Sequence, residues 1–204
     1  MARTGRPRRF DTAQTLEQAL GIFWASGYGA TSVQDLVEGL GVERGSLYAA
    51  YGDKRRLYLK TVELYWAEYE RALRSALSSV PLLPALREIL LMATRLGAAA
   101  ADQRAPRGCM MGNTAVELVP QDDEATAFVE RSFSRFVDMT AHALGEAQER
   151  GEVVATSPPE AQARLLLVVA QGTSLLARTG TEPEAAAAAI DAALAGLRRS
   201  GDTA

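Results

Sequence analysis

A chain of 204 residues with 48% hydrophobic content can build a sizeable core, which argues against a disordered protein. A single cysteine, Cys109, excludes an internal disulfide and any multi-cysteine metal centre, and no apolar run is long enough to span a bilayer. The net charge of −3 hides an asymmetry: residues 1–56 carry eight basic and six acidic side chains, the remainder 14 and 19, and four arginines fall within the first ten residues. The stretch "MARTGRPRRFD" is basic like the start of a secretion signal but is followed by no apolar segment, so a cytoplasmic location without membrane association is expected.

Scattered Val, Ile and Thr, abundant Ala and few aromatics predict an all-α chain of about nine helices. The first helix starts at Asp11, its N-cap, with Gln14 as capping-box partner, and carries Leu16, Ala19, Leu20, Phe23 and Trp24 to a stop at Gly27. Ser32 and Asp35 cap a short second helix with Val33, Leu36, Val37 and Leu40 on one stripe, ended by Gly41. A third helix runs from Arg44 to Tyr51 around Leu47. After the break "GDK" a long fourth helix runs from Lys54 to about Ser79. Further helices are expected over 86–101, 109–118, 122–150, from the "SPPE" start at 157–160 to about Arg178, and from "TEPE" at 181–184 to about Arg199.

Two short helices joined by a glycine-containing turn, behind a longer one, form a helix-turn-helix unit. Its second helix is suited to the major groove of double-stranded DNA, led by its N-terminal residues. Arg44 offers a hydrogen-bonding fork to guanine, Gly45 permits close approach, Ser46 offers a hydroxyl and Ala49 a methyl contact for thymine. Tyr48 and Tyr51 present hydroxyls to phosphate, Lys54 its ammonium, and Thr31 and Ser32 stand at the corresponding start of the second helix. The N-terminal arm places Arg3, Arg6 and Arg8 for a narrow minor groove.

The stretch "GIFWASGYGATSVQDLVEGLGVERGSLYAAYGDKRRLY" resembles the N-terminal domain of the tetracycline-repressor (TetR) family of bacterial transcriptional regulators. The likeness spans roughly residues 10–60 and rests on Phe23, Gly27-Tyr28, Thr31-Ser32-Val33, Leu36, Gly41-Val42, Gly45, Leu47-Tyr48, Tyr51, Lys54 and Leu57 in the family's order and spacing. It implies a homodimer with a basic-armed helix-turn-helix domain over 1–53 and a larger helical ligand-binding and dimerisation domain over 54–204. It also implies Thr31, Ser32, Arg44, Ser46, Tyr48, Tyr51 and Lys54 as DNA contacts. Ala49 and Ala50 replace the bulkier His or Tyr frequent in the family, so direct base readout is expected to be sparse, with Arg44 and the arm taking a larger share.

Beyond residue 70 the residues themselves give the expectations. "RGCMMGNTAVEL" carries a Gly-Cys…Asn…Glu-Leu pattern resembling one branch of the family. Cys109, near a helix start and close to Arg104 and Arg107, is either a small buried hydrophobe or a thiol sensor of oxidants and electrophiles. A pocket for a small apolar effector is expected among Trp66, Tyr69, Met92, Cys109, Met110, Asn113, Phe133, Phe136, His142 and Gln171, with Asn113 and His142 as polar groups among apolar neighbours. Leu165, Val169, Gly172, Leu176, Ile190, Ala193, Leu194 and Leu197 are the expected two-fold interface. An enzyme is not expected. A Cys109–His142 pair lacks an orienting group, no phosphate loop or metal cluster is visible, and no cofactor is implied. A helical adaptor would leave the arginine arm and the Arg44 helix without a task.

Overall fold

The computed structural model describes residues 11–98, 108–179 and 182–198, with the side chains of 93–98 excepted. Arg3, Arg6 and Arg8 of the arm, and Arg104 and Arg107, lie outside the described residues. Among the described residues there are nine helices and no strand: α1 (Thr12–Ser26), α2 (Val33–Leu40), α3 (Arg44–Tyr51), α4 (Lys54–Leu77), α5 (Leu82–Ala98), α6 (Met110–Leu118), α7 (Asp123–Glu149), α8 (Pro159–Arg178) and α9 (Pro183–Ala195).

Local chemistry sets most of these boundaries. Asp11 caps α1 by accepting from the N–H groups of Ala13 and Gln14, so Gln14 serves through its backbone rather than as a reciprocal box partner. Ser32 and Asp35 form both halves of a capping box at α2. Gly41 ends α2 at φ +63, in the left-handed region that L side chains avoid. Two starts differ from the sequence expectation. Helix α5 begins at Leu82, four residues earlier than expected, because Pro84 falls within the first turn, where a missing N–H breaks no helical hydrogen bond. In α8, Pro159 is the first helical residue and Pro158 the cap, while the carbonyl of Ser157 accepts from Gln148 instead.

Two apolar cores divide the molecule, and α4 threads both. Ala19, Leu20 and Phe23 of α1, Leu36 and Leu40 of α2, and Leu47 and Tyr51 of α3 meet Leu57, Tyr58 and Val62 of α4. This first core does not end at residue 53: Met110, Met111 and Leu118 of α6 and Ala125 and Val129 of α7 complete it. The second core gathers Leu73, Leu86, Leu90, Phe136, Leu144 and Leu166 with Ile190, Leu194 and Leu197. The last three, expected in a subunit interface, are at most 4% exposed and fill the protomer's own interior.

A polar seam also ties the start of α4 to the start of α7. Arg55, in the first turn of α4, makes a two-pronged ion pair with Asp122 at 2.5 and 2.7 Å, and reaches Glu124 at 2.9 Å. The guanidinium holds the Asp122 carboxyl down to about 2, well below the usual carboxylate range.

Candidate functional site

The reading helix α3 is split cleanly between an inner and an outer face. Leu47 and Tyr51 point into the first core, and burying them fixes the rotation of the helix. That rotation turns Arg44, Gly45, Ser46 and Ala49 to solvent, with Tyr48 half-buried at their flank. Gly45 has open space where a Cβ would stand. The Arg44 guanidinium lies 5.5 Å from the Tyr48 ring centroid, and its Nη2 donates to the Tyr48 hydroxyl at 3.3 Å. A tyrosine one turn along thus steadies the arginine fork in an outward pose. No side chain caps α3, so its leading N–H groups have no capping partner from the Glu43 side chain.

Three expected contacts are placed differently. Thr31 is 1% exposed and its hydroxyl donates to the Gly27 carbonyl at 2.6 Å, so its side chain shapes the turn before α2 instead of facing DNA. Tyr51 is buried and donates its hydroxyl to the Thr12 carbonyl at 2.6 Å, pinning α3 to α1. Lys54 folds back onto the head: Nζ donates to the carbonyls of Tyr28 and Thr31, both at 2.8 Å, and lies 4.2 Å from the Tyr28 ring centroid. Those two N–H groups hold the turn that launches α2. Ser32 remains exposed, its oxygen accepting from the Asp35 backbone N–H.

The expected pocket residues separate into three places. A cavity of about 370 Å³ opens between α6, α7 and α8, and brings together Cys109, Asn113, Phe133 and Gln171 as expected. Gly112, Val116, Glu117, Ser174, Leu175 and Arg178 also line its wall. Apart from Gly112, these additions follow helical spacing from Asn113 and Gln171, three, four and seven residues on, which is the signal that would have found them. Trp66, Tyr69 and Phe136 instead surround an adjoining small void of about 20 Å³, and Cys109, Phe133, Gln171 and Ser174 form the partition between the two. Burial pushes the Tyr65 and Tyr69 hydroxyls up, so both stay neutral.

Met92, Met110 and His142 are elsewhere. Met92 borders an open groove with Ala72, Ala76 and Glu88. Met110 is 1% exposed in the first core, and its neighbour Met111 borders the small void. The His142 side chain is 78% exposed and pairs with Glu146 at 3.4 Å, because its position on α7 lies on the solvent side of the apolar stripe. Cys109 is half-buried. Its Sγ accepts from the Tyr65 hydroxyl and from Gln171 Nε2, each at 3.6 Å. That setting gives the thiol a place in the cavity wall.

One apolar surface remains outside. Leu165 and Leu176 are about half exposed, Val168 is 67% and Leu175 61% exposed, and with Gly172 they follow one face of α8. Beside it α9 turns out Ala185, Ala188, Ala189 and Ala192, small enough for close helix approach.

Comparison with known proteins agrees with this layout. The profile of "Bacterial regulatory proteins, tetR family" matches residues 16–61, and that of "Tetracyclin repressor-like, C-terminal domain" matches residues 85–193. The chain is 35% identical over 150 residues to the uncharacterized HTH-type transcriptional regulator YezE of Bacillus subtilis, covering 73% of this chain and 76% of that one. It is 30% identical to the HTH-type transcriptional repressor ComR of Escherichia coli, covering 88% and 85%. Among solved structures, the regulator CifR bound to a 26-base-pair operator shares the fold at a TM-score of 0.79 and 24% identity, over 95% of this chain and 100% of that one. The regulatory protein TetR from Rhodobacter sphaeroides superposes at a TM-score of 0.78 with 26% identity, over 91% and 98%. The helix-turn-helix head, the cavity-bearing helical body and these two profile matches place the chain in the TetR family of DNA-binding bacterial transcriptional regulators.

Proposed function

We propose that this protein is a repressor that holds a palindromic operator as a homodimer in the cytoplasm and leaves it when a small, mainly apolar effector enters the cavity between α6, α7 and α8. The observation that carries the reading is the outward row Arg44, Ser46 and Ala49 on a helix whose opposite face is locked into the core by Leu47 and Tyr51. Ser32 and Tyr48 flank that row, and the arginine arm adds charge for the neighbouring minor groove. The relative ComR is named a repressor, and CifR is named as bound to operator DNA, which supports the same task here. Among the described residues no helix is long and apolar enough to cross a membrane.

A dimer is supported by the α8 face of Leu165, Val168, Leu175 and Leu176 with the alanines of α9. Two-fold pairing there gives two reading helices for half-sites about one DNA turn (~34 Å) apart. The cavity fits an effector that is largely apolar with a few polar handles: Phe133, Val116 and Leu175 supply the walls, and Asn113, Gln171, Glu117 and Arg178 the polar atoms.

The test is a gel shift with the DNA upstream of the protein's own gene, in excess unrelated competitor DNA. Specific retention by wild type and its loss in Arg44→Ala support the reading. Equal retention of unrelated DNA, or an unchanged shift in Arg44→Ala together with Ser46→Ala, overturns it.

A further inference from the structure

Helix α6 is a partition with a different task on each side. On one side Met110, Met111 and Leu118 are buried in the core of the reading head, and the Gly108 carbonyl just before it accepts from Trp24 Nε1 at 3.0 Å. On the other side Cys109, Asn113 and Val116 line the cavity. Glu117 belongs to both. Its carboxylate is part of the cavity wall, yet Oε2 accepts from the Gly29 backbone N–H at 2.8 Å. Its Oε1 stands 2.7 Å from where a Cβ on Gly27 would be, and Gly27 has φ +87. A side chain at Gly27 would expel the carboxylate, so the turn is shaped to admit it. That turn carries Tyr28 and Thr31, whose carbonyls Lys54 holds, and ends at Ser32, the cap of α2.

We infer that Glu117 couples the cavity to the reading head: a molecule seated against it draws the carboxylate from Gly29 and frees the 27–32 turn, so the α2–α3 pair shifts and the operator is released. This rests on the repressor reading above, and it names the side chain through which that regulation runs. The ligand acts only through its different affinity for the clasped and unclasped arrangements. Glu117 is therefore a positioning residue, and touches no DNA itself.

The test needs no effector, because a tryptophan can occupy the cavity from its own wall. Amide hydrogen exchange at Gly29 and affinity for the upstream DNA are measured in wild type, Glu117→Ala, Glu117→Gln, Asn113→Trp and the double variant Asn113→Trp/Glu117→Ala. Gly29 exchanges about tenfold faster in Glu117→Ala and close to the wild-type rate in Glu117→Gln, which keeps an acceptor. Asn113→Trp weakens operator binding five- to tenfold in the wild-type background and leaves the Glu117→Ala protein unchanged, since the clasp is already open there. If Asn113→Trp fails to give a cooperative melt, Val116→Trp fills the same cavity from its mouth. The inference is overturned if Gly29 exchange is unaltered by Glu117→Ala. It is equally overturned if the tryptophan has no effect on operator affinity, or the same effect in both backgrounds. Failure of wild type to retain its upstream DNA would refute the repressor reading instead, while the Gly29 exchange rates still judge the clasp.

Discussion

The contact between Tyr58 of α4 and Thr114 of α6 gives an asymmetric prediction. Both side chains are at most 1% exposed, and their hydroxyl oxygens are 2.9 Å apart. Thr114 already donates its one hydroxyl proton to the Met110 carbonyl at 2.8 Å. Tyr58 is therefore the donor and Thr114 the acceptor. Removing the donor, in Tyr58→Phe, deletes one hydrogen bond and strands no proton, so it costs about 0.5–1.5 kcal/mol. Removing the acceptor, in Thr114→Val, leaves a buried phenolic O–H without a partner and costs about 1–3 kcal/mol. On the Thr114→Val background, Tyr58→Phe removes the stranded group and is neutral or stabilising. Urea unfolding at one fixed protomer concentration, followed by the emission of Trp24 and Trp66, measures each midpoint. With a slope of about 2 kcal/mol per molar, a loss of 2 kcal/mol moves the midpoint by about 1 M. Additive costs in the double variant, or a costlier Tyr58→Phe, would refute the donor assignment.

Other outcomes are expected along the same lines. Arg44→Ala weakens specific operator binding by about 1–3 kcal/mol with an unchanged melting curve, read by gel shift and calorimetry. Because Arg55 depresses the Asp122 carboxyl to about 2, its stabilisation is full above the unfolded value near 4 and is lost as pH falls from about 4 to 2. Asp122→Asn should accordingly be less stable than wild type at pH 7, with the gap closing across that acid window in melting scans. Val168→Asp places a charge on the α8 face away from the cavity wall and shifts sedimentation from dimer to monomer, with cooperative unfolding retained; a dimer of undiminished strength would remove α8 from the interface.

What was legible in the sequence was local. Ser32 with Asp35, the stop at Gly27 and the left-handed Gly41 lie within a few residues of what they control, and the structure shows all three. The outward row of α3 was legible for the same reason, since burying Leu47 fixes which side faces out. The fates of Lys54, Tyr51 and Thr31 were harder to read. A lysine at a helix start favours a phosphate by its charge, but the carbonyls that capture Lys54 come from Tyr28 and Thr31, more than 20 residues back. Periodicity also marks a stripe without saying which neighbour covers it. Hence Ile190 and Leu194 went to the protomer's own core, Met110 to the reading head, and His142 to solvent. Glu117 was visible in the Gly-Cys…Asn…Glu-Leu pattern, but its partner Gly29 is 88 residues away, beyond any spacing rule.

The inward fold of Lys54 also changes the account of how a polyanion is attracted. Residues 11–60 hold five basic and six acidic side chains, and of the basic ones Lys54 and Arg55 are already engaged within the protein. The reading head alone therefore has little with which to displace counterions, and that duty passes to the four arginines in the first ten residues. Each phosphate neutralised adds about 0.9 to the slope of log affinity against log salt. Trimming that arm would consequently flatten the salt dependence by up to about 3–4 units while leaving the preference among operator sequences set by Arg44 and Ser46.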